Sequence, residues 1–513
     1  MVTKEEIKNI EYDNCPPNAE ATIESIRSLG YNLGIAVSDI IDNSITAGAD
    51  TIWIYYSWDK ENSYFSITDN GKGMGNEELF EAMRLGTTSP TSKRDEKDLG
   101  RFGLGLKTAS FSQCRKLTVK TKQSANSYIR KWDLDHVNRV NDWQLLKSTN
   151  RLSRKLLDQK LEKLKSGTVV LWQSIDRIIT LDDKEEKNKD YFYKKIADLR
   201  EYLAMIFHRY LTGPQAIKII LSPDYNEEEN EYKITPWDPF ITNNSYSVDV
   251  GSETLTYKKN KIKVNPFILP HHSKYRTKKE HKSAGGPWGW NRHQGFFIYR
   301  NKRLLMPGGW LGFFKQEDHY KLARIRVDIS NNMDEEWKIG IKKVTVTPPD
   351  IFKKELIRIA KITREKATKA YRFRGKLDKR GNPEVKEFVW KRSLNTRSGE
   401  VKYFINQKHP VIEKYINEIE DKASFKNILN LIAKTIPVET IVQSDREYPE
   451  AHTLGINEAK IDGLPVFEWY EAHMKLFIDN LGLSEKEAFN KLSRIEPFNL
   501  YAAEIETIRG FTK

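Results

Sequence analysis

The glycine-rich string Leu99-Gly100-Arg101-Phe102-Gly103-Leu104-Gly105-Leu106-Lys107-Thr108-Ala109-Ser110 constrains this chain more than any other feature. Glycines at 100, 103 and 105 leave backbone N–H groups free to approach a phosphate, and a helix starting behind them adds its positive end. Lys107 brings a point charge to the same place. The string resembles a P-loop but fails as one, because that motif requires Gly where Leu106 stands and follows a buried apolar strand. Here Thr91–Asp98 come first, polar and charged as a mobile lid is.

Three other motifs surround this string. Asp39-Ile40-Ile41-Asp42-Asn43-Ser44 lies near the end of a helix read over Glu20–Ile45, where Ile26, Leu29, Leu33, Ala36, Val37, Ile40 and Ile41 follow approximate helical steps. Residues four apart share a helix face, so Asp39 and Asn43 project together. A carboxylate beside a carboxamide suits metal-assisted phosphoryl chemistry: the first orients or deprotonates a water, and the second ligates Mg²⁺. The same spacing also occurs on any solvated helix face. Asp69-Asn70-Gly71-Lys72-Gly73-Met74 follows a strand read over Tyr64–Thr68. A carboxylate at a strand end beside a side-chain-free turn suits an adenine amino group, although a plain hairpin turn has the same composition. Gly167-Thr168 opens a strand at Val169–Trp172 and by itself means nothing.

Order and spacing give these motifs their meaning. Together, over roughly residues 20–172, they resemble the GHKL family of DNA gyrase, heat-shock chaperone ATPases, histidine kinases and mismatch-repair ATPases. The resemblance implies ATP and Mg²⁺ as ligands. It makes Asp39 the general base and Asn43 the Mg²⁺ ligand, with Asp69 and, through water, Thr168 on adenine. Gly73 and Met74 would flank the base; Gly100, Gly103, Leu104, Gly105 and Lys107 would contact phosphates; residues 86–99 would be the lid. Hydrolysing members mostly carry Glu where this chain has Asp39, one methylene shorter. Slow turnover is expected, or a switch that binds ATP without hydrolysing it. Asp42 points about 60° away around the helix and is no substitute.

Further along, Gln294–Leu304 is similar to a transducer-domain strand of mismatch-repair and microrchidia (MORC) ATPases. Trp337-Lys338-Ile339-Gly340-Ile341-Lys342-Lys343 resembles the end of that domain, where a lysine reaches back toward the γ-phosphate. Lys343 takes that role, with Lys342 second. This layout speaks against a histidine kinase, for no phospho-acceptor helix or sensor segment precedes the motifs. The fold class expected is α+β. A Bergerat-type two-layer sandwich over 1–200 leads to a ribosomal-S5-like transducer over 201–350 and a basic linker with a helical region over 351–513.

Composition narrows the setting. At 38% hydrophobic and 11% aromatic residues, packed cores are expected. No apolar run approaches the roughly 18 residues that span a bilayer. The opening residues lack the apolar stretch of a signal peptide. Cys15 and Cys114 form no CxxC, which points to the cytoplasm. His271, His272, His281 and His293 lack partner cysteines and HExxH spacing, so no metal site is read from them. The net charge of +14 concentrates in Lys353–Lys402, with 17 Lys or Arg against 6 Asp or Glu. Such a stretch suits phosphate contacts, though a solvated basic helix has the same composition.

The closest overall resemblance is to bacterial MORC-like proteins. It implies an ATP-driven homodimeric clamp on double-stranded DNA, in restriction–modification or phage defence. A nuclease or methyltransferase partner would do any cutting or marking. A chaperone clamp on a protein client, a topoisomerase-like subunit and a non-hydrolysing sensor remain open.

Overall fold

The computed structural model describes residues 13, 15, 17–86, 105–178, 185–223, 225, 229–257, 260–330, 333–334, 336–340, 346–371, 388–394, 401–437, 466–495 and 498. The chain divides into two compact units, Met1–Tyr371 and Arg372–Lys513. It is a mixed α+β protein.

The first unit is built on two sheets. Strands β1 (Thr51–Ser57), β2 (Tyr64–Asp69), β3 (Lys116–Gln123), β4 (Asn126–Asp133), β5 (Gly167–Gln173) and β6 (Lys218–Pro223) form one, in the order β4-β3-β5-β2-β1-β6. All its neighbours run antiparallel except β1 and β6. Because side chains alternate along a strand, each strand serves two cores. Ile52, Ile54, Val170 and Trp172 pack into a helical layer, while Trp53, Tyr55, Val169 and Leu171 face the other side. The layer includes α1 (Ala19–Arg27), α2 (Leu33–Thr46) and α7 (Glu185–Ile206). Helices α3 (Asn76–Met83), α4 (Gly105–Phe111), α5 (Leu134–Val140) and α6 (Arg151–Leu161) complete this part. The boundary expected at residue 200 falls inside α7, and β6 joins the first sheet beyond it.

The second sheet comprises β7 (Val248–Asp249), β8 (Glu253–Tyr257), β9 (Asn260–Ile268), β10 (Gly295–Arg300), β11 (Arg303–Pro307) and β12 (Ala323–Ile329). Its order is β11-β10-β12-β9-β7, with β8 also on β9. Phe297, Tyr299 and Leu304 join the helical layer of the first sheet. Phe296, Ile298 and Leu305 turn the other way, onto a core shared with α8 (Asp350–Tyr371). Burying each such side chain contributes about 1.5–3 kcal/mol, so the alternation binds this sheet on both faces. Helices therefore lie between two sheets, and α8 closes the outer side.

Several elements differ from the sequence reading. The helix expected over Glu20–Ile45 is two helices, because Gly30 takes a left-handed φ of +69° and Asn32 caps α2 by accepting from the Ile35 N–H. The strand expected over Gly295–Leu305 is the hairpin β10–β11, turned by Asn301 and Lys302 at φ +47° and +69°. The stretch between Ser273 and His293 is rich in Lys, His, Gly and Trp and reads as a long loop, yet it contains the helical turns Lys278–Ala284 and Gly289–Arg292.

The second unit holds a hairpin, β13 (Trp390–Leu394) with β14 (Val401–Ile405), inside the stretch expected to be a basic linker. Helices α9 (Pro410–Glu418), α10 (Lys422–Lys434), α11 (Val466–Leu481) and α12 (Glu485–Leu492) follow. Val411–Ile436 reads as one helix in the sequence but forms α9 and α10, because Ile419 leaves helical geometry and the Asp421 side chain caps a new start. Val411, Tyr470, Met474, Phe477, Phe489 and Leu492 make its core. No described helix is long and apolar enough to cross a membrane.

Candidate nucleotide site

The site begins on α2. Asp39 is almost wholly buried, and its Oδ2 accepts a 3.2 Å hydrogen bond from the Tyr31 hydroxyl. Burial, then the Asp39 carboxylate, pushes the Tyr31 phenol up, so it stays a proton donor. Helix α4 starts beside this carboxylate: a Cβ on Gly105 would stand 3.6 Å from Asp39 Oδ2. Two motifs 66 positions apart in the chain are thus in contact across the α2–α4 packing. Asn43, one turn further along α2, is exposed. A buried carboxylate and an exposed carboxamide oxygen on one helix fit a hard cation that keeps part of its water shell. Asp42 does not join them; it is fully buried against Arg303 of β11.

The second part of the site lies at the end of β2. Asp69 is opposite Thr168 in the β2–β5 register. Its Oδ2 accepts from the Ser44 hydroxyl at 2.8 Å and its Oδ1 from the Gly71 N–H at 2.9 Å. Burial raises the Asp69 pKa, against the opposing pull of the donors Gly71, Ser44 and Thr168. Thr121 of β3 joins the remaining pieces. Its Oγ1 accepts from the Met74 N–H at 2.8 Å and lies 3.2 Å from Thr168 Oγ1. Gly73 has φ +68°, and a Cβ there would stand 2.1 Å from the Lys122 carbonyl oxygen. A Cβ on Gly167 would meet the Asp69 carbonyl oxygen at the same distance. Neither position has space for a side chain.

Lys107 is buried, and its Nζ donates to the Ala82 carbonyl at 2.9 Å, near the carboxyl end of α3. Burial lowers its pKa to about 8, with Glu81 opposing. Gly100, Gly103, Leu104, most of the expected lid, Lys342 and Lys343 lie outside the described residues. Asp39, Gly105 and Tyr31 thus form one group of contacts, and Asp69, Thr168 and Met74 form another with Ser44 and Thr121; α2 carries Asp39 of the first and Ser44 of the second. Motif reading missed Tyr31, Ser44 and Thr121. Ser44 adjoined Asn43 in the first motif, whereas Tyr31 and Thr121 carry no local signal.

Comparison with known proteins places this stretch. Residues 31–168 match the family of histidine kinase-, DNA gyrase B- and HSP90-like ATPases. The chaperone protein HtpG of Rickettsia prowazekii is 33% identical over 104 residues, covering 18% of this chain and 17% of that protein. The ATPase morc-1 of Caenorhabditis elegans is 30% identical over 88 residues, 17% of this chain and 10% of that protein. Among solved structures, the N-terminal domain of a DNA repair protein aligns at TM-score 0.38 and 16% identity, over 65% of this chain and 93% of that one. Less than a fifth of the Rickettsia prowazekii HtpG and Caenorhabditis elegans morc-1 chains is spanned. Residues 31–168 are thus a domain of the GHKL ATPase type, similar to parts of HtpG chaperones and of a MORC ATPase.

Proposed function

We propose that this chain binds and slowly hydrolyses ATP with Mg²⁺, using Asp39 as the general base. The observation that carries this reading is the meeting of Asp39 with Gly105, which joins a proton acceptor to the start of the phosphate-binding helix. Asn43 would hold the cation, which supplies neutralisation of charge developing on the phosphate oxygens. Asp69 accepts the adenine amino group, with Thr168 acting through water and Gly73 and Met74 beside the ring. Gly105 and Lys107, with Gly100, Gly103 and Leu104, contact phosphates. Lys107 reaches them by leaving the Ala82 carbonyl, and Lys343 approaches the γ-phosphate from the segment after the second sheet. Tyr31 orients the base by donating to one of its oxygens.

Nucleotide binding then gates a homodimeric clamp. The +14 net charge and the surplus of 11 cations over Lys353–Lys402, the difference of 17 and 6, favour double-stranded DNA as what it encloses. The defence setting and a nuclease or methyltransferase partner rest on the likeness to bacterial MORC-like proteins. A clamp on a protein client is the second reading, favoured by the HtpG matches.

Steady-state ATPase activity with and without double-stranded DNA, at two salt concentrations, tests both. Stimulation by DNA that fades with salt supports the DNA clamp; turnover indifferent to DNA moves the assignment to a protein client. Asp39→Ala is expected to lower turnover by about 100-fold or more while retaining ATP, as removal of a general base does. Turnover that survives the substitution refutes the role of Asp39.

A further inference from the structure

Arg303 opens β11 in the second sheet, yet its guanidinium lies against the helix that carries Asp39. Its Nε donates to Asp42 Oδ1 at 2.7 Å, and both side chains are buried, 3% and 0% exposed. Nη1 donates to the Leu304 carbonyl at 3.3 Å, and the guanidinium lies 5.6 Å from the Phe207 ring centroid. Burial opposes the Arg303 charge, but Asp42, Tyr202 and Asp39 together hold its pKa above the ordinary value. Arg303 therefore senses both carboxylates of α2, while bonding only one.

Helix α2 has few other ways to turn. At its start, a Cβ on Gly34 would stand 2.7 Å from the ring of Tyr202 on α7. The residues just after α7 are tied to the second sheet as well. His208 Nε2 meets the Tyr299 hydroxyl at 2.8 Å, Arg209 pairs with Asp328, and the Tyr210 hydroxyl donates to the Asn301 carbonyl. Asp39 and Asp42 are three positions apart, so they diverge by about 60° around α2. A bond that holds Asp42 toward β11 sets where Asp39 points, toward Gly105. The pair also balances the Asp42 charge with that of Arg303.

We propose that Arg303 is a positioning residue for the nucleotide site, fixing the rotation of α2 through Asp42 and so aiming Asp39. Because Arg303 belongs to the second sheet, any shift of β11 must carry α2 with it or break a buried ion pair. The inference rests on the ATPase reading above.

The test uses the full chain with Arg303→Met, Asp42→Leu, the double variant and Arg303→Lys. Melting, equilibrium binding of a fluorescent ATP analogue and steady-state turnover are measured for each. Each apolar single variant leaves a buried charge unpaired and is expected to melt earlier, whereas the double variant replaces the pair with apolar packing and folds. The double variant is expected to bind the analogue within threefold of wild type, with kcat down tenfold or more and KM within threefold. Arg303→Lys keeps the charge and is expected to recover part of that loss. A merely structural pair gives a double variant with wild-type kcat, which overturns the proposal. If the double variant does not fold, Arg303→Lys decides: lowered kcat at unchanged KM supports the proposal, and wild-type kcat overturns it. Failure of the wild-type chain to bind the analogue overturns the ATPase reading and this inference with it. Normal wild-type binding and turnover beside an equally fast double variant overturns this inference alone.

Discussion

Replacing Gly73 by alanine should strike the site where the backbone leaves no room for a side chain. The residue has φ +68°, and the added methyl would stand 2.1 Å from the Lys122 carbonyl oxygen and 2.8 Å from its carbon. Left-handed backbone costs an L-residue about 1–2 kcal/mol. The carbonyl cannot turn aside, because Lys122 lies in β3 between Ser127 of β4 and Gly167 of β5. The turn after Asp69 must therefore retreat by about 1 Å, at an overpacking cost of about 1–3 kcal/mol. Retreat also stretches the bond from Met74 N–H to Thr121 Oγ1, worth about 1 kcal/mol. The sum is about 3–6 kcal/mol, a large share of an ordinary domain's stability. Gly48→Ala is the control: its φ is +77°, with nothing within 4 Å of an added Cβ, so it bears the backbone cost alone. Urea unfolding followed by tryptophan fluorescence measures both variants. A Gly73→Ala midpoint no lower than that of Gly48→Ala would refute the argument from the Lys122 carbonyl.

Three further outcomes are expected. Asp69→Asn keeps one acceptor oxygen and turns an NH2 toward either the Ser44 hydroxyl or the Gly71 N–H, so it should cost about 1–3 kcal/mol and weaken ATP-analogue binding at least tenfold; unchanged affinity would remove Asp69 from the adenine contact. Tyr31→Phe deletes the donor to Asp39 Oδ2 and should lower kcat several-fold, for about 1 kcal/mol of stability, with wild-type turnover showing that the hydroxyl has no part in orienting the base. Burial holds His208 at about 4 and His293 at about 3, against an ordinary 6.5, so the unfolded chain takes up protons first as pH falls. Stability is then complete above about pH 6.5 and declines by about 1.4 kcal/mol per pH unit for each histidine down to its folded value, and melting temperatures equal at pH 7.5 and 5.5 would contradict this.

The readable part of the fold was the part determined by short-range patterning. β2 and β5 were legible to within a residue or two, because β-branched and aromatic runs bounded by polar turns have few other solutions. What escaped reading were interruptions inside apolar runs. The period over Glu20–Ile45 continues through Gly30, and only the left-handed backbone there shows that one helix has become two. Gly295–Leu305 fails in the same way. Asn301 and Lys302 are not a standard turn pair, and the hairpin closes because both strands have faces to bury. Tertiary burial, absent from a local window, decided these cases.

The site divides along the same line, with one instructive exception. Asp39, Asn43 and Asp69 stand out in the sequence because residue type and spacing mark them as candidates. Arg303 was not, since its meaning lies in an aspartate 261 positions away. Gly167 looks local and is not. As one glycine before a strand it says nothing, yet the Asp69 carbonyl oxygen occupies the space where its side chain would begin. That close approach sets β5 against the end of β2 and brings Thr168 level with Asp69. A glycine can therefore shape a site by letting two strands come near enough for their neighbours to meet. Whether such a glycine matters is settled by what stands opposite it, and a single sequence holds that information only as the order of motifs far apart.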